Sequence, residues 1–128
     1  MTRKSISASG AAAIGPYSHA VEANGFVFFS GQTPIDPATG ELVDGDIRAQ
    51  TKQCFANLFN VLEAAELSPE DVTEVRVYLI DMDDFPAMNE IYADQFKEPY
   101  PARTTIGCAS LPLNARVEIG MVARRQLP

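Results

Sequence analysis

The sequence predicts an α+β domain, a single mixed β-sheet carrying two helices on one face. Three observations lead there. Residues 72–81 and 115–123 alternate: Val75, Val77 and Leu79 share one face of the first, and Val117, Ile119, Met121 and Ala123 one face of the second. Residues 47–65 and 84–97 instead repeat apolar side chains at helical spacing. The resulting order, β-β-α-β-α-β-β, is that of one sheet with both helices gathered on a single side. The chain of 128 residues reads as one domain, 1–128, long enough to bury its own core and without repeats, low-complexity tracts or linkers.

Each element has a local reason. After an irregular start, residues 17–23 read as a short strand, and Asn24-Gly25 is a strong hairpin signal because both residue types tolerate positive φ. Residues 26–32, FVFFSGQ, follow as an aromatic strand. Residues 34–46, PIDPATGELVDGD, hold the Pro, Gly and Asp of a loop. The first helix, 47–65, has Ile47, Cys54, Leu58, Val61, Leu62 and Ala65 as its stripe, with Asp44 or Asp46 as its N-cap. Ser68-Pro69 predicts one short helical turn. The second helix, 84–97, is capped by Asp83, tolerates Pro86 in its first turn, and buries Phe85, Met88, Tyr92 and Phe96. Pro99-Tyr100-Pro101 ends it. Residues 103–111 then form a strand, joined by Leu111-Pro112-Leu113-Asn114 to the last one. No third helix is left for the second sheet face, whose candidates include Phe26, Phe28, Tyr78, Ile80, Ile106 and Val122. Burial against further copies of the chain is the expected solution, in a symmetric homo-oligomer.

Composition narrows the function. A formal net charge of −7, with scattered basic residues, disfavours a nucleic-acid partner. No apolar run approaches a membrane span. The N-terminal MTRKSISASGAAAIGPY lacks the apolar stretch of a secretory signal and reads as a cytoplasmic start. Cys54 and Cys108 have neither metal spacing nor a CxxC arrangement, and read as buried thiols of a reducing compartment. With His19 as the single histidine, no metal site is expected. Asp81, Asp83 and Asp84 are explained by capping and solvation.

Two charges stand out. Arg103 opens one strand, and Glu118 shares a strand face with Gly120 and Val122. An ion inside a buried strand is normally paired or used. By pattern alone, Arg103 is more often an ion-pair residue than a ligand clamp. Glu118 has Arg116, Arg124 or an arginine of another copy as alternative partners.

Several motifs, in order and at their spacings, decide the reading. They are Ile14-Gly15-Pro16-Tyr17-Ser18, Ser30-Gly31-Gln32, Asn89 and Tyr92 within FPAMNEIYADQF, Pro101-Ala102-Arg103, Leu111-Pro112 and Val117-Glu118-Ile119. Together they resemble the RidA/YjgF family of enamine/imine deaminases over nearly the whole chain. The resemblance implies a chorismate-mutase-like fold, a homotrimer with clefts between subunits, and no cofactor. It implies hydrolysis of 2-imino acids, such as 2-iminopropanoate or 2-iminobutanoate, to 2-oxo acids and ammonia. Arg103 would then hold the substrate carboxylate, which a planar guanidinium fork matches bidentately. Glu118 would position or deprotonate the attacking water, and Tyr17 would line the cleft with an oriented hydroxyl. Ser30, Gly31 and Asn89 would shape the pocket, and backbone groups near Thr105 would help bind the carboxylate. Thr104 departs from the Ser common in the family at that position, and Thr105 from the Cys of some members. Both bear on substrate preference.

Spacing supplies a check. If residues 103–111 and 115–123 pair as a tight hairpin, Glu118 falls opposite Cys108, about 16 Å along the strand from Arg103. That register cannot bring both to one small ligand, so either the pairing differs or another subunit completes the site. Two other function classes compete with the deaminase. One is a non-catalytic regulatory protein binding small carboxylates in the same cleft. The other is a family-related ribonuclease or translation inhibitor, which the acidic balance opposes.

Overall fold

The computed structural model describes residues 2–8 and 15–127. Ile14, which opens the expected N-terminal motif, lies outside them. In chain order the strands and helices are β1 (Lys4–Ile6), β2 (Ala20–Ala23), β3 (Phe26–Gln32), β4 (Ile35–Asp36), β5 (Glu41–Leu42), α1 (Ile47–Ala64), β6 (Val72–Leu79), α2 (Phe85–Ala93), β7 (Ala102–Gly107) and β8 (Val117–Arg124). Six strands form one sheet in the order β1-β2-β3-β8-β6-β7, and β4 and β5 make a separate small ladder inside the expected loop. β6 and β7 run parallel, as a strand-helix-strand crossover through α2 allows; the other neighbours are antiparallel. The sheet is therefore mixed, with both helices on one face, as expected.

Local chemistry explains the elements. Asn24 and Gly25 both adopt positive φ, 54° and 81°, and turn β2 into β3. Asp46, of the two candidates, caps α1: its Oδ1 accepts the Ala49 N–H at 3.0 Å. Ser68 and Asp71 form a capping box around a short turn with Pro69 in its first position.

Four expectations are corrected. The irregular start contains a strand, β1, paired with β2. α2 is shorter than 84–97, ending at Ala93. Asp83 does not cap it; Asp81 accepts the Asp83 N–H and starts a short turn that runs into α2. The last correction matters most. β7 and β8 do not form a hairpin, because β6 lies between them, and Cys108 sits just beyond β7.

The core lies between the sheet and its helices. Phe55, Leu58 and Leu62 of α1 and Met88 of α2 are fully buried, as are Val75, Val77, Ile119 and Met121 of the sheet. Phe55 meets Tyr92 and Phe96 edge-on, at ring separations of 5.7 and 5.8 Å, which locks α1 to α2 and the segment after it. Among the described residues the other sheet face has no such cover. Phe28 and Ile106 there are 49% and 46% exposed. Among the described residues no helix is long and apolar enough to cross a membrane.

Arg125, just past β8, ties three parts of the chain together. Its guanidinium donates two hydrogen bonds to Glu22 of β2 and one to the Ala65 carbonyl at the end of α1, each 2.8 Å. The hydrogen bond from Arg125 holds the Glu22 carboxyl below its usual range. A depressed carboxyl stabilises above its unfolded pKa and loses that contribution as pH falls through its folded one. Arg125→Ala is expected to lower unfolding free energy by about 1–2 kcal/mol at neutral pH, discounted for partial exposure, and by less under acid conditions. Urea unfolding of both proteins at two pH values checks this.

Candidate active site

The register places the two charges. Arg103 is paired with Val75 and Glu118 with Tyr78, on opposite edges of β6. Cross-strand partners share a face, and positions 75 and 78 are an odd number apart, so the two side chains leave opposite faces of the sheet. Their Cα atoms are about 14 Å apart by strand geometry. As placed here, the two side chains do not converge on one small ligand. The five residues predicted to act with them divide accordingly.

Glu118 anchors the first group. Between Phe29 and Gln32, β3 carries two residues, Ser30 and Gly31, against the single Gly120 of β8. This bulge brings the Gly31 backbone under the Glu118 carboxylate: a Cβ on Gly31 would lie 2.5 Å from Oε2. Only glycine leaves that space. The Ser30 hydroxyl donates to the Ser18 carbonyl, and the Ser30 N–H to the His19 carbonyl, which hold the segment carrying Tyr17 beside the bulge. Tyr17, Ser30, Gly31 and Glu118 thus line one cleft of about 390 Å³, open on the uncovered side of the sheet. Pro112, Leu113 and Ile35 supply its apolar wall. Burial raises the Glu118 carboxyl above its ordinary value. The alternative partners are engaged elsewhere: Arg116 pairs with Asp84 at 2.7 Å, and Arg124 stacks over Phe26. Among the described residues no cationic side chain lies within ion-pair distance of Glu118.

Arg103 anchors the second group, on edge strand β7. Its guanidinium carbon lies 4.5 Å from the centre of the Tyr92 ring and 5.4 Å from that of Phe85, and Nη1 donates to Asn89 Oδ1 at 2.7 Å. Three side chains of α2 therefore fix the fork, while its other N–H groups are left for a ligand. Burial keeps the Tyr92 phenol above its usual pKa, against the pull of Arg103. Thr105 lies on the same face of β7, its hydroxyl oxygen buried without a hydrogen-bond partner. A larger cleft, about 680 Å³ between residues 68–72 and 95–101, contains none of the predicted residues.

Sequence reasoning gave no site role to Phe85, Tyr92 or Leu113 and did not foresee the bulge at Gly31. Phe85 and Tyr92 read as core stripe, yet they also carry the Arg103 guanidinium; an aromatic pair on a helix facing a strand arginine is the available signal. The bulge was signalled by a glycine inside a strand. The Leu113 wall had no signal beyond its turn. Cys54 stays outside the site: it is wholly buried, its thiol donates to the Gln32 carbonyl, and burial pushes its pKa well up.

The family model described as Endoribonuclease L-PSP matches residues 7–125. A RutC family protein of Pyrococcus horikoshii is 50% identical over 113 residues, covering 88% of this chain and 90% of the relative. The 2-iminobutanoate/2-iminopropanoate deaminase of Mus musculus is 43% identical, covering 94% and 90%. The crystal structure of RidA from an Antarctic Psychrobacter superposes with a TM-score of 0.92 at 40% identity, covering 96% of this chain and all of that one. With the family model spanning nearly the whole described sequence and relatives at these identities, the chain belongs to the Endoribonuclease L-PSP family, the YjgF/RidA proteins.

Proposed function

We propose that the protein is a deaminase that hydrolyses reactive 2-imino acids to 2-oxo acids and ammonia. The observation that carries this is Glu118: a carboxylate whose pKa is raised by burial, on the floor of an open cleft, with no cation beside it among the described residues. A carboxylate serving structure alone would be paired. One left basic and desolvated is suited to take a proton from water. The relatives named as 2-iminobutanoate/2-iminopropanoate deaminases in mouse and other organisms support the same reading.

The reaction follows from these groups. The Arg103 fork binds the substrate carboxylate and fixes the imine carbon. Water adds its oxygen to that carbon, its proton passes to Glu118, and the C=N π pair moves to nitrogen. Nitrogen takes that proton back from Glu118 to give the carbinolamine, which then collapses: its hydroxyl proton passes to Glu118 and on to nitrogen, the oxygen lone pair forms C=O as the C–N bond breaks, and ammonia leaves. Tyr17 offers its hydroxyl to the adding oxygen. No redox partner is required. Because Arg103 and Glu118 leave opposite sheet faces, the site is completed between subunits: edge strand β7 of one copy reaches the Glu118 cleft of the next. A homotrimer repeats this interface three times and covers Phe28 and Ile106. The reaction needs neither nucleic acid nor membrane, and we place it in the cytoplasm.

The test generates the imine in situ with an amino-acid oxidase and follows its loss. Wild-type protein is expected to accelerate the loss well above the spontaneous rate. Folded protein giving no acceleration with imines of any size would overturn the reading in favour of ligand binding without turnover.

A further inference from the structure

The turn before β8 places a leucine where leucine is disfavoured. Leu113 has φ 60° and ψ 21°, and Asn114 also has φ 60°. Glycine or asparagine fits this left-handed region far better, because a Cβ there crowds the following carbonyl. The turn is nevertheless well held. Pro112 fixes its own φ and keeps Leu111 extended, and the Asn114 and Ala115 N–H groups donate to the Leu111 and Pro112 carbonyls. The core does not explain the leucine: Leu113 is 50% exposed and outside the buried cluster. What it does face is the Glu118 cleft, whose wall it forms with Pro112 and Ile35.

We propose that Leu113 determines specificity: its side chain is the apolar contact for the substrate's side chain, favouring 2-imino acids with branched alkyl groups over those with charged ones. This rests on the deaminase reading of the same cleft. Strain held in an ordered turn beside a reactive group is a sign of function when packing does not account for it. The volume agrees. A cleft of about 390 Å³ falls within the roughly 300–1,000 Å³ that accommodates ligands far larger than a three-carbon acid. A wall of Leu113, Pro112 and Ile35 gives such a ligand an apolar side and offers a charged side chain no partner.

Two substitutions separate side chain from backbone. Leu113→Gly removes the wall while suiting the left-handed backbone, so the variant is expected to melt at or above the wild-type temperature. Leu113→Lys places a cation at the same spot. The assay compares kcat/KM on imines generated from alanine, leucine and glutamate. Leu113→Gly is expected to lower the leucine-to-alanine ratio about three- to tenfold, the part of a full methylene discrimination that a half-exposed wall supplies. Leu113→Lys is expected to raise the glutamate-to-leucine ratio by a similar factor. Ratios unchanged in both variants, or an equal loss on all three substrates, would overturn the proposal. Calorimetric binding of 2-oxopropanoate and 4-methyl-2-oxopentanoate tests it without turnover. If wild type hydrolyses nothing but loses its preference for the larger acid on Leu113→Gly, the specificity role stands and the deaminase reading falls. If that preference survives Leu113→Gly, the specificity role falls whatever the activity.

Discussion

Glu118→Gln is expected to lower kcat/KM for imine hydrolysis by about 10²–10⁴-fold, the usual contribution of a positioned general base. Glutamine keeps the shape that fits over Gly31 but cannot take the proton from water. The loss should fall on kcat, because the carboxylate acts on water and not on the bound acid. The pH dependence follows from its burial. As a base Glu118 works when deprotonated, so activity should rise with pH through its pKa. Burial raises that pKa, so this limb should lie above the ordinary glutamate value of 4.5. The glutamine variant should lack the limb. Stability moves the other way. The native state holds the Glu118 proton more tightly than the unfolded chain, so Glu118 loses stability as pH rises from 4.5 through its raised pKa. Glu118→Gln should therefore melt no lower than wild type at neutral pH while being nearly inactive. Full activity in the variant, or an acid limb identical to wild type, would remove Glu118 from the chemistry.

What the sequence made legible was local. The alternation of β6 and β8, the Asn24-Gly25 turn, the Asp46 cap and the stripe of α1 are set by neighbouring residues, and each is where the pattern puts it. Of the residues expected at the site, the structure brings Tyr17, Ser30, Gly31 and Glu118 to one cleft and Asn89 to Arg103. The geometry of the site was not legible. Pairing Arg103's strand with Glu118's followed from adjacency in the chain, but the order β8-β6-β7 is a tertiary choice that places α2 as a crossover on the helix face. In a direct hairpin Arg103 and Glu118 would already leave opposite faces, because Cys108 is five residues from Arg103; with β6 between them the offset from 75 to 78 is again odd, and a whole strand now separates them. α2 was overextended for a related reason. Phe96 is buried against Phe55 and continues the stripe, although the helix has already ended at Ala93. A stripe records burial, and burial outlasts the helix.

The proposed inter-subunit site makes the second large prediction unusually specific. Arg103→Lys is expected to lower kcat/KM by about 10–10²-fold, mainly through KM, because lysine keeps the charge but lacks the fork that holds a carboxylate with two parallel bonds. Lysine also loses the planar stacking over Tyr92 and Phe85. Arg103→Ala should go further and leave almost no turnover. Neither loss by itself says which chain the arginine serves. Mixing does. Subunits carrying Arg103→Ala retain a sound Glu118 cleft, and subunits carrying Glu118→Ala retain a sound Arg103 edge. If each site takes its arginine from one copy and its carboxylate from the next, a trimer containing both variants has one interface with both groups intact. Random reassembly of equal amounts should then restore about a quarter of wild-type sites from two inactive preparations. A site built within one chain can recover nothing by mixing, since every cleft would still lack one group. The measurement is activity after unfolding and refolding the variants together, against the same variants refolded apart. Recovery would place edge strand β7 across the neighbour's cleft. Its absence from a properly assembled mixed trimer would sink the inter-subunit site, leaving the separation of Arg103 and Glu118 to be bridged by a conformational change within the chain.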